Sequence, residues 1–273
     1  MGNCVNENKE ILRKIQQCLA SDYIARHLYQ NPDYDDKLNR YEFDVYSQSG
    51  EDGIIKEIFR RIGTENEFFI EIGAGDGDVS NTAYLLTQGW SGLWVEMSKT
   101  NFKRITDMYK CVVGHTLAVK HVEVTAENVE RLLADADAPT DLDLLSIDID
   151  GNDYWVWKAI ENYRPRVVVI EYNALYPPSV RWTMRYSPGQ KHDNSKYHGA
   201  SLKALVELGL EKGYQLVGCN FAGVNAFFVR EETKGFFASY DACYFYEPQR
   251  KWLINEVHGR QDFADFFERG THA

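Results

Sequence analysis

Short strand-like runs rich in apolar residues alternate along this chain with segments of helical periodicity. The runs lie at 68–72, 92–96, around 112–119, and at 143–149, 166–172, 214–219 and 224–229; their lengths are those of strands. Helical patterns fall between them at about 79–88, 99–109, 126–135, 154–162 and 200–212. Val167-Val168-Val169-Ile170 reads as a strand buried on both faces, a property of parallel sheets. The alternation predicts a doubly wound, mostly parallel α/β sheet with helices on both sides. Only a few residues separate the last two runs, too few for a parallel crossover, so the sheet is expected to end in an antiparallel hairpin.

Upstream, Ile11, Leu12, Ile15, Leu19, Ile24 and Leu28 recur at helical spacing, which predicts one or two N-terminal helices. Asn31-Pro32-Asp33 breaks that pattern, and an irregular link leads to a turn at 47–53 and an amphipathic helix from Ile54 to Arg61. Three segments follow: a helical extension over 1–45, a main domain over 46–240 and a C-terminal extension over 241–273. Within the main domain, 174–199 is rich in Pro, Tyr, Trp and His and has little periodicity, as expected of a functional loop or lid.

Composition narrows the partners. The 273 residues are 44% hydrophobic and 26% charged, with a net charge of −11, which excludes nucleic acid and anionic membranes as main partners. No apolar stretch approaches the roughly 20 residues of a membrane span, and the N-terminus lacks a signal-peptide apolar region. Five cysteines (Cys4, Cys18, Cys111, Cys219, Cys243) form no Cys-x-x-Cys pair, the pattern of reduced thiols in a cytoplasmic protein. Cys111 and Cys219 fall in strand-like runs and are expected to be buried.

The chemistry concentrates at the ends of the apolar runs. Glu67-Phe68-Phe69-Ile70-Glu71-Ile72-Gly73-Ala74-Gly75-Asp76-Gly77-Asp78 is a strand feeding an acidic, glycine-rich turn, and the next strand ends on Glu96. A backbone-lined turn followed about 20 residues on by a carboxylate is the layout of a nucleoside site. Gly-x-Gly-x-Gly misses the dinucleotide spacing. Carboxylates at Glu71, Asp76 and Asp78 would repel a pyrophosphate and suit an ammonium and a sulfonium, which favours S-adenosylmethionine. Glu96 is placed to accept both ribose hydroxyls.

Asp148, Asp150 and Asp153 lie at the exit of the 143–149 strand, with Asp148 and Asp150 expected on one strand face. Glu171, Tyr172 and Asn173 reach the same edge from the next strand. These oxygens could hold Mg²⁺, although Asp153 could equally cap the following helix and no metal ligand set is preferred. In the insert, Tyr176 and Trp182 offer aromatic faces for a cationic group. His198, ranked above His192, offers a general base. Ser47 or Ser49 is expected to cap the helix that follows, with Glu51 and Asp52 in its first turn.

Taken together, Ser47-Gln48-Ser49-Gly50-Glu51-Asp52, the Phe69–Gly77 run, the strand ending at Glu96 and Leu145-Ser146-Ile147-Asp148-Ile149-Asp150-Gly151 resemble the FkbM-type branch of class I S-adenosylmethionine-dependent methyltransferases. The resemblance covers about 45–230. It implies a seven-stranded, Rossmann-like sheet, with cofactor contacts at Glu71, Gly73, Ala74, Gly75, Asp76 and Glu96. Asp148 falls near the methionine end, and Gln48 approaches from the helix that caps the pocket. Family members commonly carry Asp-x-Glu-Gly where this chain has Asp148-Ile149-Asp150-Gly151.

The expected reaction is methyl transfer to an O or N nucleophile of a small molecule, with His198, Asp150 or Glu171 managing the acceptor's proton and Asn173, Tyr176 and Trp182 binding the acceptor. Two alternatives stay open: a lyase or cyclase that attacks the aminocarboxypropyl chain and releases methylthioadenosine, and a non-catalytic cofactor-binding protein. The expected partners are a small-molecule substrate and, at most, a second copy in a homodimer.

Overall fold

The computed structural model describes residue 15 and residues 18–189 and 196–253; Cys4, Ile11, Leu12 and His192 lie outside the described residues. One sheet is built from β1 (Phe68–Ile72), β2 (Ser91–Glu96), β3 (Leu117–His121), β4 (Leu144–Ile147), β5 (Val167–Glu171), β6 (Tyr214–Cys219) and β7 (Asn225–Arg230). Its order is β3-β2-β1-β4-β5-β7-β6. The first five strands pair in parallel, and β7 runs antiparallel to both β5 and β6. This is the seven-stranded, Rossmann-like arrangement with a terminal antiparallel hairpin that the sequence predicts.

Alternation along the strands makes two cores. Ile70, Ile72, Val168, Ile170 and Phe228 face α4 (Val129–Ala134), α5 (Asp153–Ala159) and α6 (Leu202–Glu211). Phe69, Val167, Val169, Phe227 and Val229 face α1 (Glu51–Ile62), α2 (Ala83–Thr87) and α3 (Lys99–Met108). Both sides of β5 are therefore buried, as its Val run demands. In α1, Ile54, Ile55, Ile58 and Phe59 form one buried stripe at helical spacing.

Several elements begin or end elsewhere than their periodicity suggests. The third strand starts at Leu117 and not at 112, because residues 109–116 turn on local bonds such as Thr116 N–H to the Val112 carbonyl. Cys111 is therefore exposed, and Cys219 is buried in β6. Helix α2 starts at Ala83 and not near 79, since Ser80, Asn81 and Thr82 are held by Glu71. The 126–135 helix is confined to Val129–Ala134. The 154–162 helix stops at Ala159, where Glu130 captures the Glu161 and Asn162 N–H groups. Strand β4 ends at Ile147.

The flanking segments lie against the hairpin. Residues 18–24 are helical and pass through a π-turn at Ala25–Tyr29. Asn39 Nδ2 donates to the Cys219 carbonyl at 2.8 Å, and Tyr34 Oη to Glu247 at 3.0 Å. Tyr172 Oη reaches the Glu247 carbonyl at 2.5 Å. Among the described residues no helix is long and apolar enough to cross a membrane.

At the amino-terminal edge of the sheet, Asp143 is fully buried. Its Oδ2 accepts the N–H groups of Glu65, Asn66 and Glu67 at 2.8–3.0 Å, and its Oδ1 meets Arg166 Nη1 at 2.8 Å. Arg166 also donates to the carbonyls of Ile62 and Gly63, so one ion pair joins the end of α1 to the start of β1. Asp143→Ala would strand these donors and leave the buried Arg166 guanidinium with only the exposed Glu65 carboxylate as a counter-charge. Urea unfolding is expected to show a loss of about 3–5 kcal/mol.

Candidate functional site

The glycine turn is shaped first by protein contacts. Gly73 has φ +92°, and a Cβ there would stand 1.7 Å from the Asp148 carbonyl oxygen. Gly77 (φ +83°) would meet the Tyr109 ring at 2.8 Å. Only glycine lets the chain leaving β1 cross so close to the chain leaving β4. The crossing lies at the carboxyl edge of the sheet where the strand order reverses, the place where open α/β folds bind ligands.

Two adjoining cavities open there. One, of about 240 Å³, is lined by Gly73, Gly75, Glu96, Met97, Asn101 and an apolar wall that includes Val122, Val124 and Ile149. The other, of about 390 Å³, is lined by Gln48, Glu71, Asp76, Asn81, Glu171, His198, Asn225 and Gln249. Gly73, Gly75, Asp148 and Asp150 border both. Seven carboxylates line the pair (Glu71, Asp76, Glu96, Glu123, Asp148, Asp150, Glu171) and, among the described residues, no Lys or Arg does.

These acids differ in what holds them. Glu96 is 5% exposed, and its Oε1 accepts the Ser98 N–H at 2.6 Å. Burial raises its pKa. Glu71, expected at the cofactor, is engaged by Ser80 Oγ at 2.6 Å, Thr82 Oγ1 at 2.5 Å and Asn81 N at 2.9 Å. It shapes the turn above β1 while bordering the larger cavity. Asp76 pairs with Arg104 at 2.9 Å, and Asp78 pairs with the same guanidinium. One of the turn's two charges is thus offset by α3, and four of the cleft's carboxylates (Glu96, Asp148, Asp150 and Glu171) come from the strand ends.

Asp148 and Asp150 lie beyond the end of β4 and do not share a strand face. The chain turns there because Asp153 accepts the Ile149 and Gly151 N–H groups at 2.8 and 2.9 Å. Asp153 therefore closes the preceding turn and does not cap α5, whose N-cap Asn152 makes no side-chain cap bond. Asp150 sits at φ +54°. Burial, together with the charges of Asp153 and Asp150, raises the Asp148 pKa well above the ordinary value. Across the cleft, one carboxylate oxygen each from Asp148, Asp150 and Glu171 lie within 4.8 Å of one another. His198 Nδ1 stands 4.0 Å from Glu171 Oε2.

The 47–52 run is a buried knot. The N-cap position of α1 is Gly50, with no side-chain cap bond of its own; Ser49 does not cap the helix, while Ser47, three residues before it, accepts the N–H of its second residue, Asp52. Asp52 Oδ2 in turn accepts the N–H groups of Val45, Tyr46 and Ser47 at 2.7–3.0 Å. Glu51 takes the Ser49 N–H and the side-chain amides of Asn220 and Asn225. From this knot Gln48 borders the larger cavity.

The residues expected to bind the acceptor sit apart from the cavities. Asn173 is buried and donates to the carbonyls of Lys196 and His198 at 3.0 Å, fixing the base of the insert. Tyr176 and Trp182 stack on each other at 4.2 Å and line neither cavity. Ala74 is buried and also lines neither. Sequence reading missed Asn225 and Gln249, which arrive from the hairpin and the C-terminal segment with no local motif. It also missed Met97 and Asn101, whose position just after Glu96 could have marked them.

No protein-family model matches this chain, and no curated protein matches it. Among solved structures, the S-adenosylhomocysteine-bound N-terminal domain of EvdMO1 superimposes with a TM-score of 0.42 at 11% identity, over 66% of this chain and 79% of that one. A precorrin-6y C5,15-methyltransferase from Geobacter metallireducens gives 0.40 at 16% identity, over 64% and 86%. A methyltransferase from Aquifex aeolicus gives 0.37 at 9%, over 64% and 87%.

The buried acids make stability depend on pH. Burial raises Asp44 to about 8, and Asp52 and Asp153 each to about 6. Between about pH 4 and pH 8 the folded chain keeps protons that the unfolded chain has released, so unfolding becomes easier as pH rises. The urea midpoint is expected to fall from pH 5 to pH 8, and Asp44→Asn is expected to flatten the upper part of that decline.

Proposed function

We propose that this protein is an FkbM-type methyltransferase that moves a methyl group from S-adenosylmethionine to an O or N nucleophile of a small molecule. The observation that carries the reading is the cleft itself: at the reversal point of the sheet it is lined by seven carboxylates and, among the described residues, by no Lys or Arg. Such a field repels a pyrophosphate and favours a ligand bearing a sulfonium and an ammonium. Glu96, buried at the end of β2, is placed to hold ribose hydroxyls, and the apolar wall of the smaller cavity suits a purine. Gly73, Gly75, Asp76 and Gln48 border the larger cavity, where the amino-acid end would lie. When bound, the cofactor supplies an electrophilic methyl group.

On the acceptor side, His198 is the proposed general base. Glu171 stands beside its Nδ1 and would stabilise the imidazolium formed when His198 takes the acceptor's proton. Asn173 fixes the His198 backbone and serves as a positioning residue. Tyr176 and Trp182 belong to the insert that borders the acceptor's entry, and holding the acceptor in place supplies much of the rate.

Incubation of the protein with S-adenosylmethionine and a panel of small amines and hydroxylated metabolites, followed by mass spectrometry, tests this reading. S-adenosylhomocysteine together with a methylated product is expected. Enzyme-dependent methylthioadenosine in place of S-adenosylhomocysteine would sink the proposal in favour of the lyase or cyclase. Calorimetry is expected to show Glu96→Ala weakening cofactor binding by about tenfold or more, a cost near 1.4 kcal/mol. His198→Ala is expected to lower kcat by about 10²–10⁴ while leaving cofactor affinity within about twofold.

A further inference from the structure

We infer that Asp148, Asp150 and Glu171, with the carboxamide oxygen of Asn225, form a binding site for one divalent cation of the Mg²⁺ class. The three carboxylate oxygens lie within 4.8 Å of one another. Oxygens that share one ion at roughly 2.0–2.6 Å are separated by at most about 4–5 Å, so the spacing fits a single coordination shell. They come from the ends of two adjacent strands, β4 and β5.

Asn225 supplies a second, independent observation. It pairs directly across the antiparallel ladder with Glu171 and lines the same cavity as all three acids. The residue is 2% exposed. Its Nδ2 is engaged by Glu51 Oε1 at 3.0 Å, which turns Oδ1 away from Glu51, and Oδ1 has no hydrogen-bond partner among the described residues. A buried carbonyl oxygen without a donor costs about 1–3 kcal/mol, and a cation seated between it and the carboxylates removes that cost. The three carboxyl groups surround one point, and among the described residues no Lys or Arg lines the cavity. Neutral and acidic oxygens together are the donor set of a hard divalent ion. An ion held there sits beside His198 and Gln249, where it could orient an acceptor oxygen.

Titration of the full chain with Mn²⁺, followed by electron paramagnetic resonance without any nucleoside, tests the site. One saturable ion per chain is expected, displaced by Mg²⁺, and weakened about tenfold or more in Asp150→Asn and in Glu171→Gln. Asp150 is exposed, so its variant is expected to keep the wild-type near-ultraviolet dichroism. No saturable binding below about 1 mM, or binding unchanged in either folded variant, would overturn the inference. Cofactor affinity measured separately in EDTA reports on the methyl-transfer reading, so the two can fail independently.

Discussion

Asp52 Oδ2 accepts three consecutive backbone N–H groups, and Asp143 Oδ2 accepts another three. Asp153 closes the turn after β4 in the same way, and Glu71 gathers Ser80, Asn81 and Thr82 above β1. A buried carboxylate that gathers otherwise orphaned donors is the interaction on which the turns of this protein depend. Each donor left alone would cost about 1–3 kcal/mol. Short segments with no regular secondary structure are thereby fixed as firmly as the strands they join. The same burial raises the pKa of most of these acids, so fold stability and proton uptake are linked.

These turns place the cleft. The Glu71 cluster holds the turn after β1 open, and the Asp153 turn peels the chain away from β4 so that Asp148 and Asp150 face the space between strand ends. The 47–52 knot lies over the hairpin and presents Gln48 to the larger cavity. Asp52, Asp143 and Asp153 hold backbone N–H groups, Glu71 and Glu96 hold such groups and border the cavities as well, and Asp148, Asp150 and Glu171 border the cleft. Arg104 pairs with both Asp76 and Asp78, one positive charge set against the two of the glycine turn.

Much of the fold was legible because it is written locally. Strand-like runs marked all seven strands, with β1 and β6 bounded to the residue, and the short 219–225 connection required a hairpin. Errors of boundary fell where a distant side chain captured backbone groups: Glu130 ending α5, Glu71 delaying α2. Glu96, Asp148, Asp150, Glu171 and Gln48 are legible from strand-end position or motif, His198 only as the insert histidine next to the following helix, and all six border the cavities. Asn173 is legible from the strand exit it follows, whereas Tyr176 and Trp182 stand out only by residue type within an aromatic insert, and residue type cannot tell a loop that packs on itself from one that faces a ligand.

What the sequence determined by itself was therefore periodicity and its consequences: a doubly wound sheet, its terminal hairpin, and acidic groups delivered to one edge. Strand period and strand length are properties of the local chain, so no partner is needed to read them. Tertiary structure alone decided which acids build turns and which remain for a ligand. It also brought Asn225 opposite Glu171 and Gln249 to the same cavity. Those facts depend on strand order and register between segments far apart in the chain, and no window of sequence contains both sides of such a contact.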